Sequence, residues 1–174
     1  MSGAVLYSRP SWLLAIMMTG AALASTSAPA QPATYHFVTI AGDLSQGSAD
    51  GTNSDALFNF PTGLALNSNG ELFVADEENR TIRKLSWNGT AWVSSTIAGL
   101  AGRAGASDGM NAEARFICPE SVAVDGAGNV FVADSCSMTV RELSPIGTNW
   151  LVKTIAGLAG VEGRTDGTNQ DIRF

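Results

Sequence analysis

Apolar and polar residues alternate with period two along most of the chain, in short runs broken by glycine and asparagine. "GLALN" (Gly63–Asn67) and "ELFVAD" (Glu71–Asp76) flank the turn "SNG", and "SVAVD" (Ser121–Asp125) and "NVFVAD" (Asn129–Asp134) flank "GAG". Side chains of a strand point alternately to its two faces, so each run predicts a half-buried strand and each pair a hairpin. "TIRKLSW" (Thr81–Trp87) and "AWVSSTIAG" (Ala91–Gly99) follow, hinged at Asn88-Gly89. Asn-Gly supplies the positive φ angles that a two-residue hairpin turn requires.

The pattern is written more than once. "TIAGLAG" occurs at Thr96–Gly102 and again at Thr154–Gly160, with "TIAGDLS" at Thr39–Ser45. Asp50, Asp108 and Asp166 each open a "DG" and lie 58 residues apart. Phe58/Phe116/Phe174, Pro61/Pro119, Asp76/Asp134, Arg83/Arg141, Gly89/Gly147 and Trp92/Trp150 keep that interval. A fixed period of this length marks an internal duplication. Each unit predicts four antiparallel strands and a long Gly-rich return, which is one blade of a β-propeller. "TIAG" is then the end of the fourth strand, entering the loop to the next blade. The expected fold class is all-β: two complete four-stranded blades and the start of a third, an incomplete propeller.

"FPTGLALNSNGELFVADEENRTIRKL" (Phe60–Leu85) and "CPESVAVDGAGNVFVADSCSMTVREL" (Cys118–Leu143) resemble NHL repeats. The second copy departs from the pattern at Glu120-Ser121, and at Ser137-Met138 where the first has Asn79-Arg80. The resemblance, which extends to the spacers of exported bacterial NHL proteins, implies a propeller. It is nearly silent on activity, because one fold hosts unrelated functions.

The amino terminus carries a different pattern. Met1–Pro10 holds one charge, Arg9, ahead of the apolar "SWLLAIMMTGAALA" (Ser11–Ala24) and the small-residue stretch "STSAPAQPA". This is the layout of a secretory signal peptide, with cleavage after Ala24 or, preferably, Ala30. A membrane anchor is the rival reading, but the run is too short to span a bilayer comfortably. The chain divides into a signal peptide (1–30), a linker (31–38), a first blade with its entry loop (39–99), a second (100–157) and the start of a third repeat (158–174). Two blade bodies fall short of a closed ring. The chain is therefore expected to be a fragment of a longer reading frame, with further blades from that frame or from self-association; an open blade pair is a third option.

The net charge is −6, and loss of Arg9 with the leader makes it −7. An acidic surface repels phosphate backbones, so nucleic acid is excluded as a partner, and no membrane span is expected after cleavage. Export to the periplasm or medium supplies an oxidising compartment. Pairing Val124 with Val130 sets Cys118 opposite Cys136 on the same face of the hairpin, which predicts a disulfide.

Candidate chemistry is sparse. Strand alternation puts the second-to-third turns and the blade-to-blade loops on one face, called here the loop face. The binding candidates there are Asp76, Glu77, Glu78, Asn79, Arg80, Asp134, Ser135 and Ser137. The plainer reading of Asp76 and Asp134 is an Asx turn, each accepting from its own turn's backbone N–H groups. "DGTNSD", "DGMNAE" and "DGTNQD" tempt a calcium reading, but glycine falls at the wrong position, and local Asx turns explain them better. "GLAGRAG" lacks the phosphate-loop pattern. His36 is the only histidine, so neither a His-rich metal site nor a His–Asp pair is available. Trp87, Trp92 and Trp150 flank the third-to-fourth hairpins, where cross-strand packing is expected and carbohydrate stacking is the alternative. The expected function is an exported binding or interaction scaffold for a protein or small molecule, with no catalysis and no cofactor. The alternative is part of a metal-dependent propeller enzyme of lactonase or lyase type, a class that the fold resembles.

Overall fold

A computed structural model describes residues 35–174, so the signal peptide and its cleavage sites lie outside the described residues. Phe37–Phe174 form one compact unit built from two five-stranded antiparallel sheets. The first contains β1 (Gly51–Thr52), β2 (Pro61–Leu66), β3 (Leu72–Asp76), β4 (Thr81–Trp87) and β5 (Trp92–Gly99), in the order β1-β5-β4-β3-β2. The second contains β6 (Gly109–Met110), β7 (Pro119–Val124), β8 (Val130–Asp134), β9 (Thr139–Ile146) and β10 (Asn149–Ala156), in the order β6-β10-β9-β8-β7. The all-β, blade-like class is as expected; the strand count is not. Each blade has a fifth strand, because the "DG" of the spacer pairs with the outer strand: Gly51 lies opposite Ser94, and Gly109 opposite Val152. No local pattern announces a two-residue strand whose partner lies more than forty positions ahead.

The repeated glycine of "TIAG" has a physical cause. Gly42, Gly99 and Gly157 have φ of +89°, +88° and +88°, a region where a side chain strains the backbone. A Cβ on Gly99 would also collide with the Arg80 carbonyl, and one on Gly157 with that of Met138. Just ahead of Gly99 and Gly157 the ladder bulges. Arg83 pairs with Thr96 and Ile82 with Ala98, leaving Ile97 as the extra residue. The bulge re-aims Ile97 into the space between blades, where it is buried.

The core lies between the sheets. Phe73, Ala75, Ile82, Ile97 and Ala98 of the first blade pack with Phe116, Val122, Val130, Val132, Leu143 and Trp150 of the second. Phe73 meets Trp150 edge-on, with ring centroids 5.7 Å apart. The inner strands β2 and β7 come so close that a Cβ on Gly63 would lie 2.7 Å from the Glu120 carbonyl oxygen. Burial follows this stacking rather than composition. Val122 is 8% exposed, whereas its repeat equivalent Leu64 is 65% exposed.

Candidate functional site

The sites singled out by the sequence lie where β3 turns into β4 and β8 into β9. In the first blade the turn closes through Arg80, at φ +59°, whose N–H donates to the Glu77 carbonyl at 2.8 Å. In the second, Ser135–Ser137 form a 3-10 turn that ends on Met138 at φ +55°. Glu78 and Ser135 are exposed and Glu77 and Arg80 half-buried, while Asn79 and Ser137 are buried. The Ser135 hydroxyl donates to the Glu120 carboxylate at 2.6 Å.

Asp76 and Asp134 are fully buried, and neither forms the Asx turn expected of it. Asp76 Oδ1 accepts from the Asn59 N–H at 2.7 Å; its Oδ2 accepts from Asn79 Nδ2 at 2.7 Å and from Arg83 Nη1 at 2.9 Å. Asp134 Oδ1 accepts from the N–H groups of Cys118 (2.7 Å) and Ile117 (3.1 Å). Each carboxylate thus accepts from backbone N–H groups sixteen or seventeen residues upstream rather than from those of its own turn. The oxygens of both aspartates, offered from sequence as binding candidates, face the interior. Asx turns do occur, on the opposite, turn face: Asn67, Asn88 and Asp125 each accept from backbone N–H groups of their own turns.

The residues that organise this site are two arginines not singled out as functional from sequence. Arg83 and Arg141 are both 0% exposed. Arg83 donates to Asp50 Oδ1 (2.7 Å), the carbonyls of Ala49 and Leu57 (2.8 Å each) and Ser94 Oγ (3.1 Å), and lies 4.8 Å from the Phe58 ring centroid. Arg141 repeats this with Asp108 (2.7 Å), the carbonyls of Ser107 and Arg115 (2.9 Å each) and the Phe116 ring (5.2 Å). Thr96 and Thr154 add a hydroxyl donor to Asp50 and Asp108. Asp50 and Asp108, the first aspartates of two of the three "DG" motifs, therefore join long-range ion pairs, against the local turn expected for them. The sequence did hold a signal: Arg83 shares the strand face of Leu85, and Asp50, Asp76 and Arg83 all recur after 58 residues.

A guanidinium withdrawn from water costs several kcal/mol unless its hydrogens find acceptors. Here two carboxylates and two carbonyls converge on each one, fixing entry loop, turn and outer strand together. Among the described residues, no group of three or more His, Cys, Asp or Glu is placed to hold a metal ion.

Cys118 and Cys136 are joined, with Cα atoms 5.2 Å apart. The β7–β8 register holds from Val124↔Val130 to Ser121↔Ala133, as the sequence implied. It then slips at a bulge, and Cys136 sits in the 3-10 turn rather than opposite Cys118 in a ladder. The two modest adjustments bring the sulfurs together.

Several known proteins are similar to parts of this chain. The profile of the NHL repeat matches residues 58–85 and 116–143. Protein SUPPRESSOR OF QUENCHING 1, chloroplastic, from Arabidopsis thaliana is 32% identical over 95 residues, 55% of this chain and 9% of that protein. A Bacteroides thetaiotaomicron protein of unknown function matches at 27% identity and TM-score 0.51, covering 60% of this chain and 24% of that one. Two proteins described as auxiliary nutrient binding proteins have the same fold. The one from B. thetaiotaomicron has TM-score 0.54 and 19% identity, over 64% of this chain and 29% of its own. The one from Bacteroides ovatus has TM-score 0.56 and 21% identity, over 68% and 31%. The chain spans less than a third of each of these proteins. It carries two NHL repeats, one in each five-stranded sheet of a propeller-like stack.

Proposed function

We propose that this chain is an exported binding scaffold whose loop face meets a protein or small-molecule ligand through the tips of the β3–β4 and β8–β9 turns. One observation carries the reading: the same buried Arg–carboxylate anchor underlies both turns, while their tips differ. Glu77, Glu78 and Arg80 stand on the first, and Ser135, Cys136 and Met138 on the second. Rigid supports under variable, solvent-facing tips are how many scaffolds present recognition surfaces. The disulfide suits an oxidising compartment and so favours export. Proteins of the same fold described as nutrient binding give a precedent for the binding class, though their likeness extends to fold alone. No step of chemistry is assigned to the turns.

The reading is tested by placing a photo-crosslinking residue at Glu78 or Ser135 on the loop face, or at Asn69 or Ala127 on the turn face, in cells that express and export the chain. Adducts concentrated at Glu78 and Ser135 support it. Equal or greater yield from the turn face overturns it.

A further inference from the structure

The duplication provides an internal control: a residue needed by the fold alone has its counterpart in both blades. Three departures of the first blade from the second fall around one groove. This groove, of about 540 Å³, is lined by Val38–Gly42, Asn53, Ser54, Trp87, Thr90 and Trp92. It lies by the β4–β5 hairpin, on the opposite face from the turns proposed above for ligand contact.

The first departure is aromatic. Trp87 pairs across the ladder with Trp92, their rings edge-on at 5.9 Å. At the same register the second blade pairs Pro145 with Trp150. Proline satisfies the fold there, so the indole of Trp87, 55% exposed, is surplus to the packing of the blade. The second departure frees a donor. Asn111 Nδ2 donates to the Asn149 side chain at 2.8 Å, but the first blade has Ala91 in place of Asn149. Asn53 keeps the structural half of the motif, accepting the Trp92 N–H at 3.1 Å, and its Nδ2 donates to no protein group among the described residues. The third departure adds a hydroxyl: Ser54 stands where the second blade has Ala112.

We propose that this groove binds a neutral oligosaccharide. No charged side chain lines it, which disfavours an ionic ligand. The C–H groups on one face of a sugar ring carry slight positive charge and suit the negative face of an exposed indole. Sugar hydroxyls both donate and accept, as do the Ser54 and Thr90 hydroxyls and the Asn53 amide group. A proline-rich peptide also docks on aromatic grooves, but it presents mainly carbonyl acceptors and leaves the hydroxyl acceptors without donors.

The full chain is titrated with malto-, cello-, xylo- and chitohexaose, following tryptophan emission and the indole N–H resonances, with a decaproline peptide as comparison. At least one saccharide is expected to give a saturable shift at Trp87 and Trp92 while Trp150 stays fixed. Trp87→Pro, which installs the second blade's residue, is expected to weaken binding at least about tenfold, the scale of losing a central tryptophan contact. Thr90→Ala, at an exposed turn, gives a smaller loss and serves if Trp87→Pro does not fold. The proposal is overturned if no saccharide saturates, if only the peptide binds, or if affinity is unchanged by both substitutions.

Discussion

In the first blade, Asn79 reaches from the β3–β4 turn to two places at once: its amide donates to Asp76 at 2.7 Å and to the Gly47 carbonyl of the entry loop at 2.6 Å. In the second, Ser137 stands at that position and is too short to span the gap; its hydroxyl stops at the Asp134 carbonyl and Thr139. The ion pair loosens with it, from 2.9 Å for Arg83–Asp76 to 3.8 Å for Arg141–Asp134. The second blade compensates with a covalent bond, tying the turn to the start of β7 through Cys118–Cys136. Two chemistries hold one shape. A buried amide works in any redox state, whereas a disulfide works only where it stays oxidised.

The sharpest way to break the comparison is to remove what both blades share. Arg83→Ala strands Asp50 and the buried Asp76 without their cation and is expected to cost about 3–5 kcal/mol. Arg141→Ala is expected to cost less, because its contact with Asp134 is already long. Urea unfolding of the two variants checks the order; equal losses would show that the shorter ion pair adds nothing.

Reduction, or Cys118→Ser, comes next. Opening a loop with a sequence separation of 18 is expected to cost about 3 kcal/mol. Unfolding with and without a dithiol reductant measures the loss. Ser137→Asn in the reduced protein is expected to restore part of it, by offering the Gly105 carbonyl the contact that Asn79 makes with Gly47.

Asn79→Ala removes the polar tie of the first blade and leaves buried acceptors short of a donor, at about 1–3 kcal/mol. The same unfolding assay applies, and this loss should be indifferent to reductant.

The smallest effect lies on the turn face. The Lys84 ammonium, hydrogen-bonded at 2.8 Å, holds the Glu71 carboxyl below its usual value, with Asn67 and Ser86 assisting against partial desolvation. A lowered carboxyl pKa means the folded form binds its proton less readily than the unfolded one. The pair's contribution is present above the unfolded value of 4.5 and is lost as pH falls through the lower folded value. Because the pair is partly exposed, screening limits it to under about 1 kcal/mol. The second blade has Asn129 and Glu142 at these positions, so Glu71→Gln should flatten the acid side of the stability curve without touching that blade.

Much of the fold was legible because it is local. Alternation named β2–β5 and β7–β10, and Asn88-Gly89 marked a hairpin, since each depends on residues a few positions apart. The duplication needed only the chain's comparison with itself. The Cys118–Cys136 pair came from strand register, although a bulge changed the path by which the sulfurs meet. The candidate site was less legible. Asp76 and Asp134 were noticed for standing at turns, where an Asx role is the ordinary expectation, yet their partners are an arginine in the next strand and N–H groups well upstream.

By itself the sequence determined that this protein is made of duplicated antiparallel sheet units with glycines at fixed points, because alternation, turn chemistry and repetition act over short stretches of chain. The tertiary structure alone decided that "DG" becomes a fifth strand, that Arg83 and Arg141 lie fully buried between carboxylates, and that Val122 is covered while Leu64 is open. Those outcomes depend on which distant segments share a low-dielectric interior, and no pattern confined to neighbouring residues encodes that proximity.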